Sequence, residues 1–344
     1  MSLIIDGTNG VTFNDSSLQG AAASPYVLKN RIINGAMQIW QRGTSVSGTY
    51  VYGTDRWATL PFATCNIAQS TSVPTTTGSS FQYSAKVGRT ASSTATTAIG
   101  IMQTIESVNC YDLSGQTVTI SFWAKAGANF SAASGTLTGQ LYSGTVADQG
   151  GSTYYSWTGG ANVPFTGFPF PTLTTSWQKF TLTGTFGAGV LEAALLFYFT
   201  PVGTAGADDN FYITGVQLEL GSTATPFERR LYNQELANCQ RYYAKIGASS
   251  AYTGYGAGEA RAAAAANIYM TYPVPMRAAP TFSQSGTVLS SGGADRTVSS
   301  IGAFYAGNTS GLIQIATSGL TAGWGVGLYS NNNTSAYIDF TAEL

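Results

Sequence analysis

The side chains that could do chemistry in this chain are carboxylates, because it has no histidine and only three cysteines. Two carboxylates facing one another across a sugar suffice for glycoside hydrolysis. Asp208 and Asp209 are adjacent, and neighbouring side chains on an extended chain point to opposite faces, so they do not make such a pair. Glu192, Glu219, Asp112 and Asp148 have no motif around them. Asp208-Asp209-Asn210 reads as a turn before a strand, with oxygen ligands for a structural calcium as the alternative. The expectation is no catalytic residue and no cofactor. Without histidine there is no Ser-His-Asp or Cys-His nucleophile and no imidazole metal ligand. Cys65, Cys110 and Cys239 are an odd number without repeated spacing, and read as free, buried thiols.

Binding chemistry is better represented. Ser152 to Pro171 holds Tyr154, Tyr155, Trp157, Phe165, Phe168 and Phe170 among glycines, with Pro164, Pro169 and Pro171 to stiffen the loop. Aromatic faces stack on sugar rings, and rings with a polar handle also pair with hydroxyls, so Tyr154, Tyr155 and Trp157 are the glycan candidates. The alternative is that these rings plug a core or a subunit contact. A second group lies near the end: Tyr305, Asn308, Trp324, Tyr329, Asn331, Asn332, Asn333 and Tyr337. Trp324 to Asn333 alternates aromatic and glycine and then ends in three amides, which suits a hairpin with an amide-rich tip. A turn without a ligand is the alternative.

The elements that must position these residues are strands. Val118, Ile120 and Phe122 alternate with Thr119, Ser121 and Trp123 over Gln116 to Ala124, the pattern of a half-buried antiparallel strand. Trp177 to Phe186 and Phe211 to Leu220 repeat it, while the denser run Leu191 to Thr200 suits a strand covered on both faces. Further strands are expected at Asn267 to Tyr272, Leu312 to Ala316 and Tyr337 to Thr341, with Ala262 to Ala266 extended or irregular. Trp40, Trp57, Trp123 and Trp177 read as core. Leu3 to Ile5 and Val11 to Phe13 suggest a short hairpin, followed by a small-residue linker over Ser16 to Ser24.

One helix is expected, over Pro226 to Ile246. Thr225-Pro226-Phe227-Glu228 fits a capping box, and Gly247 supplies a stop. Tyr232, Leu236, Cys239 and Tyr243 recur at spacings of four, three and four, which would line one helical stripe against the sandwich or a trimer seam.

Charge sets the limits. Only 9% of the residues are charged, 15 Lys and Arg against 16 Asp and Glu, where about 25% is usual. The net charge of -1 gives no footprint for nucleic acid. The strongest apolar run, Ala193 to Phe199, is far short of the ~20 residues that span a bilayer, and no leader is recognisable in Met1 to Gly10. At 12% aromatic and 44% hydrophobic, the chain should fold rather than remain disordered. So few charges suit either surface hidden between subunits or a face turned to neutral glycan.

Several strings resemble phage and prophage tail fibre proteins. They are Asn30 to Gly43 (NRIINGAMQIWQRG), Tyr52 to Trp57 (YGTDRW), Gly215 to Tyr243 (GVQLELGSTATPFERRLYNQELANCQRYY), Pro273 to Thr281 (PVPMRAAPT) and Asp339 to Leu344 (DFTAEL). Gly10 to Gln19 (GVTFNDSSLQ) is similar to the short N-terminal motif of such fibres. The resemblance implies a jelly-roll sandwich of the carbohydrate-binding-module type over Ile32 to about Leu220, a homotrimer, and a place on the virion tail with one end facing the host.

The expected architecture is all-β. A tail-attachment hairpin and linker (1–30) lead to a jelly-roll β-sandwich (31–224), a helical connector (225–246) and a second β-sandwich forming a C-terminal tip (247–344). The expected function is multivalent, non-catalytic attachment to host polysaccharide or lipopolysaccharide, with a tail or baseplate protein as partner through residues 1–30. No nucleic-acid partner and no membrane insertion are expected. A purely structural connector and a tail-borne glycosidase are the alternatives; no coil repeat of a parallel β-helix supports the latter.

Overall fold

The computed structural model describes residues 29–75, 80–166 and 172–344, with the backbone of 4–6, 10–12 and 18–19. Ile4–Asp6 and Gly10–Thr12 pair antiparallel as the expected hairpin, and Leu18–Gln19 adds a third strand inside the expected linker.

Two antiparallel sheets form the jelly-roll sandwich. The front sheet runs Phe165–Thr166, Gln178–Thr185, Thr117–Ala126, Asn210–Leu220, Ser84–Gly88, Cys65–Ser70 and Ser45–Gly48. The back sheet runs Ala161–Val163, Thr138–Gly144, Glu192–Phe199, Ile99–Ile105 and Ala58–Thr59. Alternation decides what lies between them. Val118, Ile120 and Phe122 meet Leu195, Phe197 and Phe199, with the Phe122 and Phe197 rings 4.6 Å apart. Glu192–Phe199 is buried on both faces, as its dense apolar run requires. Asn210–Leu220 bulges between Thr214 and Gln217. Gly215 sits there at φ +65°, where a Cβ would come 2.5 Å from the Phe81 ring, so only glycine fits.

The helix is shorter than expected, Tyr232–Gln240. The capping-box residues are used elsewhere: Thr225 gives its N–H and hydroxyl to the Glu219 carboxylate at 2.9 and 2.6 Å, and Glu228 accepts the Asn30 N–H at 2.7 Å. Past Gln240 the chain turns into a strand, Tyr243–Gly247, so Gly247 ends a strand rather than a helix. The expected four-residue stripe is therefore not one helical face. Tyr232 is exposed, Leu236 half-buried and Cys239 buried, while Tyr243 lies beyond the helix. Glu235 and Cys239 are the buried residues of the helix, and Glu235 accepts the Asn34 N–H and a hydrogen bond from Arg230.

The C-terminal module is a second sandwich. A three-stranded sheet (Tyr243–Gly247, Tyr337–Thr341, Thr281–Ser285) packs on a seven-stranded one. The latter runs Ala294–Thr297, Val288–Ser291, Gly325–Tyr329, Gly254–Ala262, Ala265–Thr271, Ser310–Ala316 and Ser300–Ala306. Ile268, Ile313, Leu328, Ile338 and Phe340 fill its core. Among the described residues no helix is long and apolar enough to cross a membrane.

Candidate carbohydrate-binding groove

The outer face of the back sheet carries an aromatic groove. Along Thr138–Gly144 and Glu192–Phe199, residues alternate between the core and this outer face, which sets Gln140, Tyr142, Leu196 and Tyr198 outward. A 3-10 segment, Gly151–Ser156, folds across one end. It buries Tyr154 and Trp157 on Leu196 and Met102, and the Trp157 indole N–H donates to the Gly150 carbonyl at 3.0 Å. Two of the three glycan candidates in this segment are thus wall rather than contact surface. Tyr155 is exposed, with its ring 5.6 Å from the exposed Phe62. Phe168, Pro169, Phe170 and Pro171 lie outside the described residues.

The other end opens into a groove of about 410 Å³ between Thr138, Gln140, Asn162, Val163, Phe165 and Tyr198. Gln140 donates through its amide to Asn162, which holds both amides at the groove's edge. Among the described residues no carboxylate lines this groove. Its neighbouring phenols stay protonated at ordinary pH, because burial pushes Tyr154 up to about 12 and raises Tyr198 as well. The arrangement offers ring faces and amides, the pairing that holds sugars by stacking and hydroxyl hydrogen bonds. Tyr198, Gln140 and Asn162 went unread in the sequence: Tyr198 sits in a strand that reads as wholly buried, and only the end of the sheet leaves it open.

The C-terminal candidates do not converge. Trp324 is exposed and lies against Gly292, whose missing side chain makes room for it. Tyr329, at the far end of the same strand, stacks on Tyr252 at 6.3 Å and donates its hydroxyl to Asp295. The expected hairpin is a crossover, since Gly325–Tyr329 and Tyr337–Thr341 belong to different sheets. Asn331 and Asn332 take left-handed turns at φ 42° and 57°, while Asn333 accepts the Ser335 N–H at 2.9 Å. That amide is used inside the turn.

Asp208 and Asp209 also part company. Asp209 is fully buried against Arg89 at 2.6 Å, and Asp208 pairs with Lys86 at 2.9 Å. Each carboxylate has its own cation, and no group of three metal-ligating side chains occurs among the described residues. All three cysteines are free and buried, with Cys65 pushed up to about 12 by burial, which keeps its thiol unreactive. Trp57 is core and Trp40 packs at its margin, but Trp123 and Trp177 stand half-exposed on the outer front sheet, because their strand positions face away from the core.

A second constellation joins the two modules, and every string that carries the tail-fibre resemblance after residue 30 contributes to it. Arg56 is fully buried, pairs with Glu343, donates to the Thr104 carbonyl at 2.6 Å, and lies 3.6 Å from the centre of the Tyr242 ring. Arg42 pairs with the same Glu343 at 3.0 Å and covers the Tyr243 ring at 3.5 Å. Arg277 donates to the carbonyls of Ala342 and Glu343 at 3.0 and 3.1 Å. Arg241 and Tyr242 both reach Glu106, at 2.7 and 2.8 Å. Burial pushes the neighbouring Asp55 up to about 6 although Arg42 and Gln41 pull it down.

No family model and no curated protein matches the chain. Among solved structures it is similar to the enzymatically active domain of tailspike protein 4 of bacteriophage CBA120, at 18% identity and a TM-score of 0.32 over 59% of this chain. The match spans 22% of that domain. It is also similar to the xylan-binding CBM22-1 domain of Paenibacillus barcinonensis Xyn10C, at 15% identity and a TM-score of 0.33, covering 52% of this chain and 95% of that one. An arabinose-bound α-L-arabinofuranosidase matches 58% of this chain and 28% of its own at 13% identity and a TM-score of 0.36.

Proposed function

We propose that this protein is a non-catalytic, glycan-binding attachment protein of the phage tail fibre kind, acting as a homotrimer on the virion. Its ligand is host envelope polysaccharide or lipopolysaccharide. The observation that carries the reading is the back-sheet groove, in which Tyr198 and Phe165 stand beside the amides of Gln140 and Asn162, with no carboxylate lining it among the described residues. Such a site binds weakly alone, and three per trimer with several fibres per virion supply avidity through effective concentration. The strings that resemble tail fibres support the setting, and residues 1–30 are the segment proposed to meet the tail or baseplate.

Binding of the purified protein to extracted lipopolysaccharide and to host cells tests this. Tyr198→Ala should weaken retention about tenfold, in the range of a truncated aromatic hot spot, while the variant stays folded and cooperative in its melting. Unchanged retention sinks the groove as the site. Release of shortened sugar products would replace the reading with the glycosidase, and absence of any binding would leave the connector role.

A further inference from the structure

The chain has five lysines, and three of them stand on one face of one sheet. In the front sheet Lys179 pairs in register with Trp123, Lys125 with Tyr212, and Tyr212 with Lys86. Register partners on neighbouring strands share a face, so lysines and rings interleave across four strands on the outer surface. Lys125 Nζ lies 4.6 Å from the centre of the Tyr212 ring and 5.7 Å from that of Trp177; Lys86 Nζ lies 5.8 Å from Tyr212. Asp208 is the carboxylate of this patch. It pairs with Lys86 at 2.9 Å and accepts the Tyr212 hydroxyl at 3.0 Å. No carboxylate lies within ion-pair distance of Lys125 or Lys179 among the described residues. Elsewhere this face is closed: Phe81 packs on Phe227, rings 5.2 Å apart, beneath Arg229.

We propose that this open half of the front sheet is a second carbohydrate site, distinct from the back-sheet groove, and that it takes an acidic polysaccharide carrying carboxylates on its sugar rings. Two unpaired ammonium groups in a chain of net charge -1 are a local excess, not a general basicity. Aromatic faces hold Lys125 in place and limit the ordering cost of meeting an anion. A bare phosphate would use the ammonium groups alone. The interleaved Trp123, Trp177 and Tyr212 add recognition only where an apolar ring face sits next to the charge, as it does in a uronic acid.

Native gels cast with polygalacturonate, with its methyl-esterified form and with inorganic polyphosphate test the proposal on the full chain. Polygalacturonate should retard the protein, esterification should abolish this, and salt near ~1 M, which screens charges beyond ~3 Å, should reverse it. Lys125→Gln and Lys179→Gln, the latter at an exposed position, should each weaken retardation about fivefold, the scale of one exposed ion pair, and Trp123→Ala should weaken it further. Tyr198→Ala should leave it unchanged while weakening binding at the groove, so either site can fail alone. Equal retardation by the esterified polymer, no retardation by polygalacturonate, or no effect of either lysine substitution overturns the proposal. Polyphosphate retarding as strongly, with Trp123→Ala silent, also overturns it, because the face would then be a plain anion patch.

Discussion

Glu192 is fully buried at the start of its strand, with one carboxylate oxygen taking the Gln149 N–H at 2.6 Å and the other without a partner among the described residues. Burial pushes its acid up to about 8 from an ordinary 4.5, helped by Asp148 and opposed by the Gln149 hydrogen bond and by Arg277. A carboxyl raised on folding holds its proton more tightly in the folded state. Its contribution to stability is therefore complete below the unfolded value and is lost as pH rises through about 8. Asp55 acts in the same direction through about 6. Glu192→Gln keeps the acceptor and cannot ionise. Its melting temperature should match the wild type near pH ~5 and rise clearly above it by pH ~9. A gap that does not widen with pH would show that Glu192 ionises freely.

Elements are held to one another by charge where apolar contact is thin. The helix Tyr232–Gln240 presents a carboxylate, Glu235, to the backbone of Asn34 rather than an apolar stripe to a neighbour. The strand that follows it begins at Tyr243, and the preceding Tyr242 is locked between Arg56 and Glu106. Removing one partner of a buried ion pair strands the other, at a cost of about 3–5 kcal/mol. Glu343 keeps Arg42 as a partner, so Arg56→Met should lower urea stability by less than that, about 1–3 kcal/mol, and the double variant Arg56→Met with Glu343→Gln should recover part of it. Additive losses in this cycle would mean that the two residues do not act as a pair. Loss of the pair should also expose the chain around Tyr243 to limited proteolysis, since this joint connects the modules.

At the scale of the whole molecule, the two proposed binding faces lie on opposite sides of one sandwich while a charged joint fixes the second sandwich to it. If three copies assemble, light scattering should give about three times the 35.9 kDa chain mass, and a monomer at micromolar concentration would remove the avidity on which weak sites depend. Strands such as Thr117–Ala126, Gln178–Thr185 and Tyr337–Thr341 were legible in the sequence, because a period of two is a local property of a half-buried strand, whereas Cys65–Ser70, Ser84–Gly88 and Ile99–Ile105 were not read there. The absence of histidine chemistry was likewise written in the composition. The capping box at Thr225 and the stripe from Tyr232 to Tyr243 did not form because the same side chains took other partners: Thr225 turns back to Glu219 on the preceding strand, while Glu228 reaches Asn30 and Tyr243 reaches Asp339 far along the chain. Trp157 and Tyr198 make the same point at the groove: which ring is wall and which is surface depends on what folds across the sheet, and no spacing records that. Sequence alone determined the fold class and the poverty of charge. Only the tertiary structure decided where the few charges and open rings meet, since pairing across sheets brings together residues separated by hundreds of positions, as with Arg56 and Glu343.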